Sequence, residues 1–408
     1  MKTEAQNIYI KDFDYDLPHE RIAEFPLQER DQSKLLLYQN GEIADDHFLN
    51  LHKYIPEEST LILNNTKVIE ARILFQKLTG GVIEIFCLEP FQQAIEQSLS
   101  STEKVQWLCL IGGASKWKHG HILQKEVFIN NELVHLSARY IDKQADSFII
   151  EFCWQSQHYS FAEVLHAAGA IPLPPYIKRS VTEEDKERYQ TIFSKQEGSV
   201  AAPTAALHFT KNSFRNLAGK NINAAYITLH VGAGTFKPVK TETVAAHEMH
   251  KEPFTVSIDV LKKILSSKKI IAVGTTSLRT LETIYWLGVK LINGLVKNEW
   301  TLQQWEAYEL EKNYSSLPVK ESLRALINWL EENHQTELHC QTSLIIVPGY
   351  SFKIPDGLVT NFHQPQSTLL LLVSAFIGED WKKVYQHALN NNYRFLSYGD
   401  SSLLWKKH

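Results

Sequence analysis

The sequence contains few cysteines and no long apolar run. Its 408 residues include four cysteines, and none of them forms a C-x-x-C pair. This spacing argues against a disulfide framework or a thiolate zinc site and fits a reducing compartment. The longest apolar stretch, residues 369–373, is too short to cross a membrane, and the N-terminal residues have no apolar signal core. We therefore expect a cytoplasmic protein that contacts no membrane and holds no metal.

Excess charge of one sign is also absent. The formal net charge is −4 at pH 7, which argues against binding of nucleic acid by bulk charge. Any nucleic-acid surface would have to be a local basic patch. One candidate comprises Lys178, Arg179, Lys186 and Arg188, but acidic residues between 183 and 187 interrupt it. That mixture is typical of a solvated helix face.

Two regions with different patterns divide the chain. Between about residues 80 and 152, the β-rich runs 81–86, 105–110 and 148–152 are separated by polar or glycine breaks. This pattern predicts a small all-β domain, a barrel or a sandwich. From about residue 160, strand and helix patterns alternate, which predicts a mainly parallel α/β core that the β domain interrupts.

Several elements can be placed more closely. Apolar periodicity and capping residues predict helices over residues 161–168, 260–265, 276–287 and 368–376. Short buried runs predict strands over residues 61–63, 224–231, 270–273 and 344–347. The tryptophan-rich, helical stretch 298–340 contains little glycine, and we expect it to be a surface excursion.

A glycine turn follows the predicted strand 224–231. Gly232, Gly234 and Thr235 allow a ligand to approach the backbone, although an ordinary tight turn explains them equally well. The spacing is not G-x-G-x-x-G, so a dinucleotide site is not indicated. The turn is similar to the glycine loop of S-adenosylmethionine methyltransferases, which usually carry an acidic residue where His230 stands.

Two further segments combine small and hydroxyl residues. Thr275, Thr276 and Ser277 follow a buried strand and begin a helix, whose open N-terminus could receive a carboxylate. Helix capping alone is an equally good explanation. In residues 201–209, small residues precede His208, which could transfer a proton near neutral pH. A close-packed turn with a hydrogen-bonded histidine is the competing interpretation.

Histidines and polar residues also occur in two later segments. His247 and His250 lack the H-E-x-x-H spacing of a zinc site, but they could form a proton-transfer cluster with the carboxylate between them. Asp356, Asn361 and His363 interrupt an otherwise apolar run. Turn chemistry explains Asp356 well and explains the other two less well.

Taken in order, these strings resemble the S-adenosylmethionine:tRNA ribosyltransferase-isomerase family of queuosine biosynthesis. The resemblance runs nearly end to end and rests on residues 12–18, 29–30, 64–69, 71–72, 172–177, 200–209, 228–239, 247–252, 274–279, 357–363, 367–369 and 393–400. Two positions depart from the family pattern, Glu70 in place of proline and Ala206 in place of glycine. Ala206 adds a methyl group to a segment that is expected to approach a ligand.

The resemblance implies a reaction and a fold. The family transfers the ribosyl part of S-adenosylmethionine to 7-aminomethyl-7-deazaguanine at the tRNA wobble position and isomerises it, giving epoxyqueuosine-tRNA, adenine and methionine. S-adenosylmethionine is then a co-substrate, tRNA is the partner, and no prosthetic group is implied; we expect a monomer. The implied fold is a barrel-like α/β catalytic domain, residues 1–75 and 155–408, with an inserted β-barrel domain, residues 76–154.

The resemblance and the motifs together define candidate site residues. The candidates for proton transfer, or for orienting the proton carriers, are His208, His230, His247, His250, His363, Asp356 and Asp400. The candidates for substrate binding are Asn64, Asn65, Thr66, Lys67, Arg72, Pro203, Thr204, Gly232, Gly234, Thr235, Thr275, Thr276, Ser277, Arg279 and Asn361. Three alternatives stay open: an S-adenosylmethionine-dependent RNA methyltransferase, a non-catalytic tRNA-binding paralogue, and a ribosyl transferase with another acceptor.

Overall fold

The computed structural model describes residues 4–77, 80–117, 120–144, 146–232, 241–296, 299–314 and 317–407. The strands in these residues are β1 (Lys34–Gln39), β2 (Glu42–His47), β3 (Thr60–Asn64), β4 (Thr66–Val68), β5 (Arg72–Gln76), β6 (Val82–Pro90), β7 (Lys104–Gly112), β8 (Ile122–Ile129), β9 (Glu132–Gln144), β10 (Ser147–Trp154), β11 (Gly169–Ala170), β12 (Gln196–Ser199), β13 (Asn223–Leu229), β14 (Glu252–Ser257), β15 (Ile270–Val273), β16 (Trp300–Leu302), β17 (Glu337–Thr342), β18 (Gly357–Asn361) and β19 (Ser401–Trp405). The α-helices are α1 (Ile95–Ser100), α2 (Phe161–Ala168), α3 (Glu183–Arg188), α4 (Lys211–Gly219), α5 (Ile258–Ser266), α6 (Thr275–Ile292), α7 (Glu306–Tyr314), α8 (Val319–Glu332), α9 (Thr368–Ile377) and α10 (Trp381–Asn390).

A ten-stranded mixed sheet forms the larger part of the molecule. Its strand order is β16-β17-β14-β13-β3-β15-β18-β19-β1-β2. The four central strands, β13, β3, β15 and β18, are parallel, whereas several outer pairs are antiparallel. β3, β15 and β18 are buried at every position, and each contains an apolar run, residues 61–63, 270–273 and 358–359. Within the described residues no ladder joins the edge strands β16 and β2, so the sheet is open.

Helix α6 packs in the interior of this α/β region. It is buried almost all round, and Gly288 on α6 lies directly against the backbone of Ser322 on α8. Leu323, Leu326 and Leu330 of α8 belong to the main hydrophobic core. The expectation that residues 298–340 form a surface excursion is therefore wrong, because this stretch supplies core side chains and two strands of the large sheet.

The second sheet has seven strands in the order β11-β5-β6-β7-β10-β9-β8, all antiparallel. It curls far enough for Lys125 Nζ of β8 to donate to the Leu74 carbonyl of β5 at 3.0 Å. No ladder joins β5 and β8 in the described part of the chain, so the sheet is a half-barrel. Its hydrophobic core includes residues outside the range 76–154, such as Ile73 and Phe161. The boundaries proposed for an inserted domain stay a prediction.

Most predicted elements occur where the pattern placed them. Strand 270–273 and helix 161–168 are confirmed, and Ser160 caps that helix through a capping box. The strand predicted at residues 344–347 is wrong, because those residues form no ladder and the strand lies earlier, at Glu337–Thr342. The described residues include no helix that is long and apolar enough to cross a membrane.

Candidate functional site

The carboxyl ends of the four parallel strands meet at one edge of the large sheet. Because the strands run in the same direction, the loops that follow them open onto the same side. A cavity of about 860 Å³, which we name the strand-end cavity, lies among these loops. Its lining includes Tyr176, Pro203, Thr204, Val231, Thr275, Thr276, Asn361, His363, Thr368 and Ser397.

The N-terminus of α6 opens onto the strand-end cavity. Gly274 has a φ of 90°, which lets β15 turn sharply into the helix, and no side chain caps the first turn. Thr275 and Thr276 line the cavity. The uncapped N–H groups and the positive end of an 18-residue helix favour a carboxylate or another anion there. Ser277 is fully buried instead, and its Oγ has no hydrogen-bond partner among the described residues.

His363 is buried and forms part of the wall of the strand-end cavity. Its Nδ1 lies 3.3 Å from the Tyr385 hydroxyl, and its Nε2 lies 3.2 Å from Thr360 Oγ1. Tyr385 also accepts a hydrogen bond from the His363 backbone N–H at 3.1 Å. Burial lowers the pKa of His363 to about 3, so the imidazole is neutral at pH 7. Both ring nitrogens already have partners within the protein.

His208 lies behind the same cavity and holds Asn361. Its Nδ1 is 2.9 Å from Ser33 Oγ, and its Nε2 is 3.0 Å from Asn361 Oδ1. The Asn361 amide nitrogen then donates to the carbonyls of Leu396 and Ser397. Burial lowers the pKa of His208, opposed by its hydrogen bond to Asn361 and by Asp400. This arrangement positions Asn361 and leaves neither nitrogen of His208 free.

A second cavity of about 730 Å³ adjoins the first, and Thr368 and Leu369 line both. We name it the histidine cavity because His247 and His250 form part of its wall. Burial and then the neighbouring His250 lower the pKa of His247, which favours its neutral form at pH 7. His247 is therefore able to accept a proton in a cavity that is partly shielded from water.

Arg279 and Glu252 form a buried ion pair in the wall of the histidine cavity. Burial lowers the pKa of Arg279 to about 10, which still leaves the guanidinium charged at pH 7. Arg279 also donates to the Leu344 carbonyl at 3.4 Å. Gly232 lies in the same wall, and a Cβ added there would meet none of the described residues within 4 Å. This side of the cavity thus combines a fixed ion pair with accessible backbone.

An open groove of about 2000 Å³ separates the two sheets. His230 lies in it, with Nδ1 3.0 Å from Thr66 Oγ1 and Nε2 3.7 Å from Glu96 Oε1. The nearby His230 lowers the pKa of the Glu96 carboxyl. Burial raises the pKa of Glu89, and His250 opposes that effect from the other side of the groove. Since His250 and Gly232 line both the groove and the histidine cavity, these two spaces adjoin, as the histidine cavity and the strand-end cavity do.

Two predicted acidic residues lie away from these cavities. Asp356 is at the amino end of β18, on the opposite edge of the sheet, where it pairs with Lys269 at 2.8 Å. Asp400 is buried and accepts hydrogen bonds from the Lys34 and Arg394 backbone N–H groups and from the Arg394 guanidinium. Their carboxylates are thus engaged in holding loops, and their roles in proton transfer stay predictions.

The polar side chains at the end of β3 and just after it also form hydrogen bonds and ion pairs within the protein. Asn64 bridges β3 and β13 by two hydrogen bonds with the Leu229 backbone, and its Oδ1 also accepts one from the Thr66 N–H. Asn65 accepts from Thr228 Oγ1 at 2.7 Å. Lys67 pairs with Glu197 at 2.8 Å, and Arg72 pairs with Glu84 at 2.7 Å. These contacts fix the loop that carries Thr66 toward His230.

Some predicted residues cannot be placed in the site, and some residues of the site were missed. Gly234 and Thr235 lie outside the described residues. Ala206 is buried in a core cluster and does not line the strand-end cavity, so its extra methyl group leaves the shape of that cavity unchanged. Reasoning from the sequence missed Tyr176, Thr360, Tyr385 and Ser397. Tyr176 comes from the proline-rich segment 172–177, which contributes to the family resemblance but contains no motif that points to a ligand.

No group of three or more His, Cys, Asp or Glu side chains that could hold a metal ion occurs among the described residues. The arrangement offers instead a helix N-terminus for an anion, hydroxyl and amide groups for hydrogen bonding, and a neutral histidine for proton transfer. Such a lining suits a polar ligand that carries an anionic group.

Comparisons with known proteins identify the family of this chain. The model of the family described as "Queuosine biosynthesis protein" matches residues 10–404. The S-adenosylmethionine:tRNA ribosyltransferase-isomerase of Halothermothrix orenii is 38% identical over 97% of this chain and 99% of its own, and the enzyme of that name from Legionella pneumophila strain Philadelphia 1 is 37% identical over the same shares. The crystal structure of the S-adenosylmethionine tRNA ribosyltransferase from Thermotoga maritima is 28% identical over 96% of this chain and 99% of that chain, with a TM-score of 0.46. The chain therefore belongs to the queuosine biosynthesis family of S-adenosylmethionine:tRNA ribosyltransferase-isomerases.

Proposed function

We propose that this chain transfers the ribosyl moiety of S-adenosylmethionine to 7-aminomethyl-7-deazaguanine at the tRNA wobble position and isomerises it. The products are epoxyqueuosine-tRNA, adenine and methionine. The observation that carries this proposal is the near-full-length similarity to relatives that bear this enzyme name. The adjoining cavities at the strand ends are where we place the substrates.

In this proposal S-adenosylmethionine occupies the strand-end cavity and the adjoining histidine cavity. Its carboxylate approaches the N-terminus of α6, where Thr275 and Thr276 supply hydroxyl groups. Pro203, Thr204, Tyr176 and the amide of Asn361 surround the rest of the ligand. Arg279 is paired with Glu252, so it acts by shaping the wall and setting its potential rather than by a free guanidinium.

The acceptor base enters from the groove between the sheets, which is the most open of the three spaces. His250 and Gly232 stand where the groove meets the histidine cavity, so the ribosyl group and the incoming amine meet there. His230 faces the same entrance, with Thr66 and Glu96 as its partners. This assignment gives the histidines of the groove and of the histidine cavity more direct access to the reaction than His208 or His363.

The sulfonium of S-adenosylmethionine acidifies the protons on the ribose C5′. A base removes one of them, and the resulting ylide drives the loss of adenine, whose nitrogen takes up a proton. The amine of the modified base attacks the opened sugar, and methionine leaves as the epoxide closes. We assign the base to His247, with His250 as the second proton carrier, because His247 is the histidine of this cavity with a lowered pKa. Partial exclusion of water protects the reactive intermediates.

We further propose that residues 76–154 work as an inserted β-barrel domain on a barrel-like α/β domain. The seven-stranded half-barrel and its own hydrophobic core support this division. The half-barrel supplies one wall of the groove through residues such as Glu89 and Glu96. We expect the protein to act as a monomer in the cytoplasm, where its tRNA substrate is found, and to need no prosthetic group.

The test is an incubation of purified protein with S-adenosylmethionine and tRNA that carries 7-aminomethyl-7-deazaguanine. Free adenine is followed by chromatography and the modified nucleoside by mass spectrometry. Adenine and methionine release with an epoxyqueuosine mass on the tRNA establishes the reaction. Release of S-adenosylhomocysteine with a methylated nucleoside would identify a methyltransferase instead. Binding of tRNA with S-adenosylmethionine left intact would identify a non-catalytic paralogue.

A further inference from the structure

A small cavity lined by three arginines lies beside the strand-end cavity. It measures about 290 Å³, and we name it the arginine pocket. Its polar lining comes from four separate parts of the chain and comprises Arg30, Ser33, Arg188, His208, Arg394, Ser397 and Tyr398. Within the described residues, no carboxylate lines it. Three guanidinium groups around so small a space create a strongly positive site in a chain whose net charge is −4.

The protein holds two of these arginines in place through backbone carbonyls. Arg30 donates to the carbonyls of Gln190, Leu207 and Glu187, and Arg188 donates to those of Leu27 and Gln28. Carbonyl oxygens orient a guanidinium without neutralising it. Arg188 also has a buried Nε with no hydrogen-bond partner among the described residues. This N–H group is a donor that the described residues leave unused.

The charges around the pocket do not cancel. Asp400 pairs with Arg394 at 3.1 Å and offsets that one cation. Burial, and then the charge of Arg188, lower the pKa of Arg30, and the charge of Glu187 opposes them only in part. The two guanidinium groups therefore repel each other in a partly desolvated space. A doubly hydrogen-bonded anion would relieve the repulsion, and arginine forks suit phosphate oxygens in this way.

We propose that the arginine pocket binds a phosphodiester group of the tRNA backbone. This inference rests on the proposed function, since it names the part of the tRNA that this surface holds. The lining favours a phosphate group, because three guanidinium groups face one small space and a phosphate oxygen can accept from two of their N–H groups at once. It also supplies the local basic site that an acidic chain needs for contact with nucleic acid.

An exposed aromatic ring next to the pocket favours RNA over a free anion. Phe25 is 57% exposed, and the Arg179 guanidinium lies 4.1 Å from the centroid of its ring. The next two residues, Pro26 and Leu27, form part of the pocket wall. Exposed aromatic rings beside basic residues stack unpaired bases, which is how proteins hold single-stranded loops. A phosphate in the pocket and its adjoining base on Phe25 form one consistent binding mode.

The arginine pocket and the strand-end cavity share a wall. Ser397 lines both, and His208 lines the pocket while its Nε2 holds Asn361 of the cavity. A phosphate bound here therefore sits directly behind the residues that surround S-adenosylmethionine. This places the tRNA backbone close to the reacting groups without placing it among them.

The experiment compares wild type with Arg188→Gln and with the control Lys186→Gln. Lys186 lies on the same short helix but pairs with Glu183 on its exposed face, away from the pocket. Binding of an anticodon stem-loop RNA is measured by fluorescence anisotropy over a range of salt concentrations. We expect Arg188→Gln to weaken binding about tenfold and to lower the slope of log K against log salt by about 0.7, the value for one phosphate contact in single-stranded RNA. The control keeps the wild-type slope, and the KM for S-adenosylmethionine stays unchanged in both variants.

A second measurement uses the wild-type protein and so does not depend on the folding of a variant. Single phosphates of the stem-loop are replaced by neutral methylphosphonates. One position should weaken binding to wild type about tenfold and have little further effect on Arg188→Gln. Replacement of every loop phosphate without effect on wild type would overturn the proposal, as would an unchanged slope in a folded Arg188→Gln. A raised KM for S-adenosylmethionine with normal RNA binding would assign the pocket to that ligand's carboxylate instead.

The outcomes for this proposal and for the proposed function can be separated. If Arg188→Gln lowers the salt slope of RNA binding but the wild-type protein releases no adenine, the proposed reaction is wrong and the phosphate site is supported. Normal adenine release by wild type, with no sensitive phosphate in the stem-loop, would do the reverse. Phe25→Ala tests the stacking part alone, because its ring is exposed and its loss leaves the arginines in place. It should weaken RNA binding without changing the salt slope.

Discussion

His247 is the residue whose environment is best suited to accept a proton. It is partly buried in the histidine cavity, and burial and His250 lower its pKa. We expect His247→Gln to reduce kcat by about 100-fold or more, with a smaller change in the KM for S-adenosylmethionine, because glutamine keeps polarity but cannot act as a base. In wild type, kcat should fall as the pH drops through the lowered pKa of His247. In the variant, kcat should not show this decrease at acid pH. Adenine release over about pH 5 to 9 measures both.

A matched control for this variant is His135→Gln. His135 lies on β9 of the half-barrel, with a side chain that is 48% exposed, and it lines none of the three cavities. It should keep the wild-type rate and pH profile. Equal rates for wild type and His247→Gln would remove His247 from the reaction and leave His250 as the remaining histidine of that cavity.

His363 gives a prediction about stability at acid pH. Its pKa is about 3 in the folded protein, against about 6.5 in an unfolded chain. The unfolded state therefore binds the extra proton first, and stability is lost as the pH falls below about 6.5. Between pH 7 and 5 this one residue should account for about 2 kcal/mol of the decrease in the free energy of unfolding. His208, whose pKa is also lowered by burial, adds to the decrease.

Urea unfolding of wild type and His363→Gln at pH 7 and at pH 5 tests this prediction. The variant loses contacts with Tyr385 and Thr360, so its stability should be lower at pH 7. The decrease on going to pH 5 should nevertheless be smaller than in wild type. The same decrease in both proteins would mean that His363 is not held neutral in the folded state.

At the scale of elements, the contact between α6 and α8 depends on one glycine. A Cβ at Gly288 would lie 2.2 Å from Ser322 Oγ and 2.4 Å from the Ser322 carbonyl oxygen. We expect Gly288→Ala to reduce the free energy of unfolding by about 3 kcal/mol, because backbone and not only a side chain must move. The control is Gly219→Ala at the end of α4, where an added Cβ meets nothing within 4 Å. The control should be neutral or slightly stabilising, and a neutral Gly288→Ala would show that the two helices can slide apart freely.

The same scale shows what the sequence could predict. Helices with clear caps and periodicity, such as α2, were placed correctly, since local chemistry determines their ends. The prediction of a strand at residues 344–347 is wrong because a buried apolar run does not have to belong to a sheet. Their backbone groups bond outside any ladder, as when the Val347 N–H donates to the Tyr308 hydroxyl. The actual strand β17 has alternating exposed and buried residues, a period-2 pattern with only a modest apolar content.

Some residues of the candidate site could also be predicted from the sequence, and others could not. Thr275, Thr276 and His363 could be predicted because each directly follows a buried parallel strand, and such strand ends converge. Arg188 could not, since its acidic neighbours indicate a solvated helix face and only folding brings it to Arg30 and Arg394. The expectation of a solvated face is right for Lys186, which pairs with an exposed Glu183, and wrong for Arg179, which pairs with the buried Asp185. Burial raises the pKa of Asp185, but hydrogen bonds led by Arg179 outweigh it and bring the pKa to about 2.

At the scale of the whole molecule, one groove lies between the two large sheets, and Gly198 of β12 lines it beside His230. A Cβ there would lie 2.8 Å from both His230 Nδ1 on the large sheet's loop and Ile95 Cγ1 of α1. Gly198 also has a φ of 140°, which side-chain-bearing residues rarely adopt. The width of the groove and the position of His230 thus depend on Gly198. This residue lines neither the strand-end cavity nor the histidine cavity.

Gly198→Ala should therefore displace α1 or His230 and widen the groove. We expect kcat/KM for tRNA to fall at least tenfold, while the affinity for S-adenosylmethionine changes little, because that ligand is assigned to the cavities beyond the groove. Steady-state kinetics with each substrate varied in turn, and calorimetric titration of S-adenosylmethionine, measure the two effects. Gly81→Ala on the half-barrel is the control, since its added Cβ meets only Lys77 Cδ at 3.9 Å. An equal loss of affinity for both substrates would mean that the groove and the cavities form one site, and an unchanged kcat/KM would mean that tRNA does not enter between the sheets.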